Sequence, residues 1–292
     1  IPHLNEHHYQ QAREAKAYKE QQVLHPNKER PLKLWLSVGG AGRSDAFSSI
    51  CASSSKQQQF IQKLIQVCQK EQLDGVDFDW ESPRTHHEFS SYMTFLEEAS
   101  ISFHRQNLLV SVATRYLQLL PSSVLQVIDR IHFMAYDLLE QPQQGVSQHH
   151  ADFSKIRRTI LQQSPQQQQG GFPTWTHEQQ QKLILGIPMY ARHGMNPQNV
   201  LTFSELIDKS QGNIKSVTQL NDWNGYRYDS PQLIQDKVSW ASANNLGGIF
   251  FWELGQDKQM EDTAPGGVLL ETAAKQATHK RTSQQTYPKD EL

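Results

Sequence analysis

The sequence is short of covalent staples, of long apolar runs and of positive charge. Its 2 cysteines, Cys51 and Cys68, cannot make a disulfide framework, and one bridge or two buried thiols remain the open alternatives. No apolar run approaches the ~20 residues that span a bilayer, so no membrane span is expected. Against 30 Asp and Glu stand 28 Lys and Arg, without a basic block or a basic helix stripe. That balance lacks the electrostatic footprint of a nucleic-acid partner. Hydrophobic residues are also few, at 37%. Much of the deficit comes from glutamine runs at 57–59, 166–169 and 179–181, which suit loops and helix surfaces.

Between those runs the chain is apolar enough to build a core. Short apolar segments fall at 32–38, 75–80, 108–114, 130–136, 183–189 and 248–252. They alternate with stretches of helical spacing, such as 56–70, where Phe60, Ile61, Leu64, Ile65 and Val67 recur at helical intervals. Residues 89–104, 153–163 and 230–244 read the same way, and 7–23 form a polar helical piece. The alternation predicts an α/β fold, a parallel sheet covered by helices. The length suits one barrel of about 250 residues. The expected organisation is a polar leader over 1–31, a barrel domain over 32–274 and a disordered tail over 275–292. Lys289-Asp290-Glu291-Leu292 form a KDEL tetrapeptide, the address read by the KDEL receptor, which predicts the endoplasmic reticulum lumen. A signal peptide removed from this chain, or never recorded with it, is then expected ahead of Ile1.

The stretch "LDGVDFDWESP" at 73–83 holds Asp74, Asp77, Asp79 and Glu81 with apolar residues between them. On a strand Asp77, Asp79 and Glu81 share one face, and Val76, Phe78 and Trp80 share the other. In a barrel the acids would climb the interior, with Glu81 emerging at the carboxyl end, where barrel enzymes keep their chemistry. Crowded carboxylates cannot all ionise near neutral pH, and a proton kept on Glu81 is what a general acid needs. A magnesium or calcium site is the rival reading of the acids. No other acid cluster or histidine stands at an evident metal spacing, and His7-His8, His86-His87 and His149-His150 have none. No metal and no cofactor are expected.

"DGVDFDWE" resembles the DxxDxDxE signature of family 18 glycoside hydrolases, the chitinase family, with all four acids present. "SVGG" at 37–40, "MAYD" at 134–137, "GIPMYAR" at 186–192 and "GGIFFWELGQD" at 247–257 resemble further motifs of that family, in family order. The resemblance implies a TIM (β/α)8-type barrel. Residues 1–31 supply neither of its first two strands, so a barrel shortened at the N-terminus, with six strands, is expected. Only about 37 residues separate Arg192 from Asp229, too few for the large insertion domain of many chitinases. The implied activity is retaining, substrate-assisted hydrolysis of β-1,4-linked N-acetylglucosamine, with chitin or its oligosaccharides as partner. Glu81 would be the acid and base, Asp79 would orient the acetamido group, Asp77 would hold Asp79, and Tyr136 would bond the acetamido carbonyl. Met134 and Asp137 would line that subsite, Trp252 would form its floor, and Tyr190 and Arg192 would contact sugar at the cleavage point. An endo-β-N-acetylglucosaminidase acting on N-glycans and a non-catalytic chitin-binding lectin are the alternatives.

Overall fold

The computed structural model describes residues 4–22, 31–139, 147–162, 175–210, 214–259 and 267–284. The KDEL tetrapeptide lies outside the described residues. The chain divides into two compact units, Ile1–Thr114 with Leu119–Ile131, and Arg115–Gln118 with His132–Leu292.

The first unit carries β1 (Trp35–Gly39), β2 (Gly75–Asp79), β3 (Leu109–Thr114) and the start of β4 (Arg130–Phe133). Strand β2 pairs in parallel with β1 and with β3. Its five residues are all buried, as expected of a parallel strand covered on both faces. Helix α1 (Glu6–Gln22) precedes the sheet, and α2 (Asp45–Cys51), α3 (Ser54–Glu71) and α4 (His86–His104) cover it. Ser53 caps α3, and Thr85 with Glu88 forms a capping box on α4, which fixes where each helix begins. Beneath α3 and α4, Phe78 meets the rings of Phe95 at 5.0 Å and Phe103 at 6.3 Å. Polar α1 is attached by charge: Arg13 pairs with Glu71 at 2.6 Å and Lys16 with Asp74 at 2.7 Å. Cys51 and Cys68 are free and buried. Burial pushes their thiols up to about 12 and about 11, so both are inert.

The second unit carries the end of β4, then β5 (Leu183–Pro188), β6 (Tyr190–His193), β7 (Asn196–Thr202), β8 (Asp222–Trp223), β9 (Tyr226–Arg227) and β10 (Gly248–Trp252). Strands β5 and β10 pair in parallel. Its core gathers Ile187, Met189, Phe203, Leu206, Tyr228 and Leu269. The main sheet thus has six strands in the order β1-β2-β3-β4-β5-β10. The expected six-stranded α/β architecture of the family barrel is present.

The differences have local causes. The first strand starts at Trp35 rather than residue 32, and β4 stops at Phe133, so Met134–Asp137 lies beyond its carboxyl end. Residues 190–227 hold an unanticipated antiparallel sheet, β7-β6-β9-β8, because strands of two to seven residues leave no period to read. It is a small insertion, and no large insertion domain is present among the described residues. The tail expected to be disordered from residue 275 is instead helical as far as Gln284, within a helix spanning Val268–Gln284. Asp257 accepts the Leu269 and Leu270 amides at that helix's start, a cap twelve residues away in sequence.

Candidate active site

In the first unit, β2 alternates as its sequence dictates. Val76 and Phe78 are fully buried, and Trp80 stacks on Phe47 at 5.5 Å and meets Tyr92 edge-on at 5.1 Å. The opposite face carries Asp77 and Asp79, 7% and 8% exposed, with half-buried Glu81 just past the strand's carboxyl end. Burial, then the charges of Asp77 and Asp79, push the Tyr92 phenol well above its usual range.

Strand register places Ser37, Asp77 and Ser111 side by side across β1, β2 and β3. Ser111 Oγ donates to Asp77 Oδ1 at 2.6 Å, and Ser37 Oγ donates to Oδ2 at 3.1 Å. Two hydroxyl donors, one on each oxygen, fix the plane of the Asp77 carboxyl group. Next along the face, Gly39 pairs with Asp79 at a φ of +111°. A Cβ on Gly39 would stand 2.0 Å from Asp79 O, so only glycine lets β1 close there. The Gly40 amide donates to the same oxygen at 2.7 Å. Ser44 Oγ lies 3.2 Å from Asp79 O and accepts the Glu81 amide at 3.0 Å, so one hydroxyl ties the backbones of both acids. The first acid, Asp74, does a different job: it accepts the Leu34 amide at 2.7 Å and anchors Lys16.

The predicted residues of the second unit also follow strand ends. Tyr136 and Asp137 come after β4, Tyr190 and Arg192 after β5, and Trp252 closes β10. Asp137 takes Arg192 in a bidentate pair, Nε to Oδ1 at 2.5 Å and Nη2 to Oδ2 at 2.8 Å. Burial alone would raise its carboxyl, but bonds from His150 and Arg192 outweigh that and hold it well below the usual carboxylate range. Burial, then the charge of Asp137, push Tyr190 well above a normal phenol. Arg192 lies 5.6 Å over the Tyr190 ring, and Tyr136 meets Tyr190 edge-on at 6.3 Å. Met134 is buried, while Trp252 is 50% exposed, a free indole of the kind on which a pyranose face stacks.

Sequence reasoning missed Ser111, Ser44 and His150. Ser111, a lone hydroxyl in "LLVSVAT", could have been found by aligning it with Asp77 across the sheet. Nothing in the spacing of Ser44 or His150 points to their partners. Among the described residues, no group of three or more His, Cys, Asp or Glu is placed to hold a metal ion.

Acids at the carboxyl end of β2 in the first unit, and aromatics at the carboxyl ends of β4, β5 and β10 in the second, are the residue types that a sugar-hydrolysing barrel enzyme carries at its strand ends. The model of glycosyl hydrolases family 18 matches residues 3–257, and the chain belongs to that family. The match begins ahead of the motifs and takes in α1. Nod factor hydrolase protein 1 of Medicago truncatula is 25% identical, over 79% of this chain and 70% of that protein. The solved chitinase-like agglutinin of Robinia pseudoacacia is similar with a TM-score of 0.67 and 21% identity, over 91% of this chain and 86% of that one. A class V chitinase mutant of Cycas revoluta, solved in complex with (GlcNAc)3, gives 0.65 and 20%, over 86% and 81%. The two solved structures speak to the fold.

Proposed function

We infer that this chain is a chitinase-type glycoside hydrolase that cleaves β-1,4 linkages between N-acetylglucosamine units with retention. The observation that carries the reading is the file of Asp77 and Asp79 on β2 and Glu81 just past its end, with Asp77 held between two hydroxyls. Family 18 is a substrate-assisted exception to the two-carboxylate glycosidases. The acetamido carbonyl oxygen of the substrate attacks the anomeric carbon as the glycosidic bond breaks, and Glu81 gives its proton to the departing oxygen. The sugar is left as an oxazolinium ion. Glu81, now a base, takes a proton from water, whose oxygen opens the ring and restores the configuration. Asp79 orients the acetamido N–H and offsets its developing charge, and Asp77, with its plane fixed, sets the position of Asp79. Tyr136 donates to the acetamido oxygen, Asp137 and Met134 line the subsite, Tyr190 and Arg192 contact sugar, and Trp252 supplies the stacking floor.

The test is Glu81→Gln, which keeps the shape and removes the transferable proton. Hydrolysis of N-acetylglucosamine oligomers should fall by about 10²- to 10⁴-fold, with oligomer binding retained. Wild-type turnover in that variant would sink the assignment. Binding without hydrolysis by the wild-type chain would favour the lectin reading, and exclusive cleavage of a high-mannose glycopeptide would favour the endo-β-N-acetylglucosaminidase.

A further inference from the structure

Arg192 is not the only group that holds Asp137. The fully buried ring of His150 places Nδ1 3.1 Å from Asp137 Oδ1, and its backbone carbonyl accepts the Leu138 amide at 2.8 Å. The ring packs between Tyr190, at 5.0 Å, and His149, stacked at 5.8 Å. Nδ1 also lies 3.4 Å from the Asp137 amide, but the nearer, charged Oδ1 at 3.1 Å makes Nδ1 the donor, since two lone pairs would repel there. Nε2 is buried with no hydrogen-bond partner among the described residues, so it is left as a bare lone pair. Asp137 itself sits at φ +55°, in the left-handed region that Asp adopts more readily than most non-glycine residues.

Asp137 and Arg192 are each 22% exposed at the side chain and could swing as a pair without breaking their bidentate contact. Several contacts resist that motion, among them a hydrogen bond between Tyr190 and Asp137. Arg192 Nη1 donates to Pro197 O at 2.7 Å, and His150 grips the carboxylate from the buried side. We propose that His150 is a positioning residue for substrate binding, fixing the Asp137 carboxylate and, through it, the faces that Arg192 and Tyr190 present to the sugar. The inference rests on the reading of Asp137, Arg192 and Tyr190 as sugar contacts given above.

Two near-isosteric variants separate this role from simple packing. In His150→Asn the side-chain amide reaches the place of Nδ1; in His150→Gln it reaches the place of Nε2. With the full chain and the N-acetylglucosamine tetramer, His150→Asn should stay close to wild type. His150→Gln should raise KM by about 10- to 100-fold, the scale of one hydrogen bond to a charged group, with a much smaller change in kcat. A purely structural residue would instead lower the active fraction, cutting kcat at unchanged KM in both variants. That pattern, or a wild-type KM in His150→Gln, overturns the proposal. A second readout needs no substrate: the ¹⁵N spectrum of histidine-labelled chain should show His150 as the Nδ1–H tautomer, and Asp137→Asn should move that signal. An Nε2–H tautomer overturns the His150 assignment even in an active enzyme. Failure of the hydrolase reading shows separately, as wild-type turnover in Glu81→Gln.

Discussion

Gly39→Ala perturbs the acids without touching substrate. The new Cβ would stand 2.0 Å from Asp79 O, 2.8 Å from its carbonyl carbon and 3.0 Å from the Phe47 ring. Two of these neighbours are backbone atoms, so β1 and β2 must separate by about 1 Å before the contact is even tight. The φ of +111° adds backbone strain. Strain of this kind costs about 1–3 kcal/mol, and overpacking about 1–3 kcal/mol more. Separation also pulls on the bonds from Gly40 and Ser44 to Asp79 O, and Ser44 holds the Glu81 amide. A displacement of about 1 Å in a catalytic group can cost about 10²-fold in rate, so kcat should fall by roughly that factor. Gly42→Ala is the control: Gly42 has φ +71° but nothing within 4 Å of an added Cβ, so it suffers strain without displacement. The assay is kcat on an N-acetylglucosamine tetramer, corrected for folded fraction by urea titration. If Gly39→Ala loses no more kcat than Gly42→Ala at equal folded fraction, strand closure at Gly39 does not set the position of the acids.

In the second unit, Lys237 and Asp229 form an ion pair with neither side chain exposed to solvent. Lys237→Met should destabilise the protein by about 3–5 kcal/mol by leaving a buried charge unpaired, whereas adding Asp229→Leu should recover most of the loss; urea midpoints that ranked the double variant below the single one would refute this. His149 is held neutral, with Nδ1 accepting the Ala151 amide at 3.0 Å and Nε2 donating to Tyr228 O at 3.0 Å. Burial above all holds its pKa below the ordinary 6.5. The unfolded chain therefore takes up the proton first, so this contribution to stability is complete above pH 6.5 and is lost as pH falls through the lower folded-state value. His149→Gln should flatten the decline of the urea midpoint below pH 6.5, and an unchanged slope would show that His149 is not its source.

What the sequence made legible is what depends on period and local chemistry. Alternation along "GVDFDW" put Asp77 and Asp79 on one face and Val76, Phe78 and Trp80 on the other, and the structure keeps that division. "SVGG" was visible as a family motif, and the closeness of Gly39 to Asp79 gives its physical reason. Order along the chain likewise placed Tyr136 and Trp252 at the ends of apolar segments and Tyr190 just after one. What stayed hidden depends on pairings that cross sequence distance. Ser111 stands 34 residues from Asp77, and Ser44 stands 37 from Glu81. Arg192 lies 55 residues from Asp137, and the family resemblance named both residues without pairing them. His150 lies just 13 residues from Asp137, yet the Nδ1 contact depends on the course of the chain after β4, for which neither helix nor strand period gives a rule. The short strands from Tyr190 to Arg227 were missed for a related reason. With two to seven residues each, their stability comes from pairing and from packing on Phe203 and Tyr228 rather than from intrinsic preference. The acids to which the chemistry is assigned were therefore visible in one octapeptide, while the groups that hold the proposed site in place are scattered. Substitutions at Ser44, Ser111 and His150, rather than at the acids, are where activity and sequence pattern should part company.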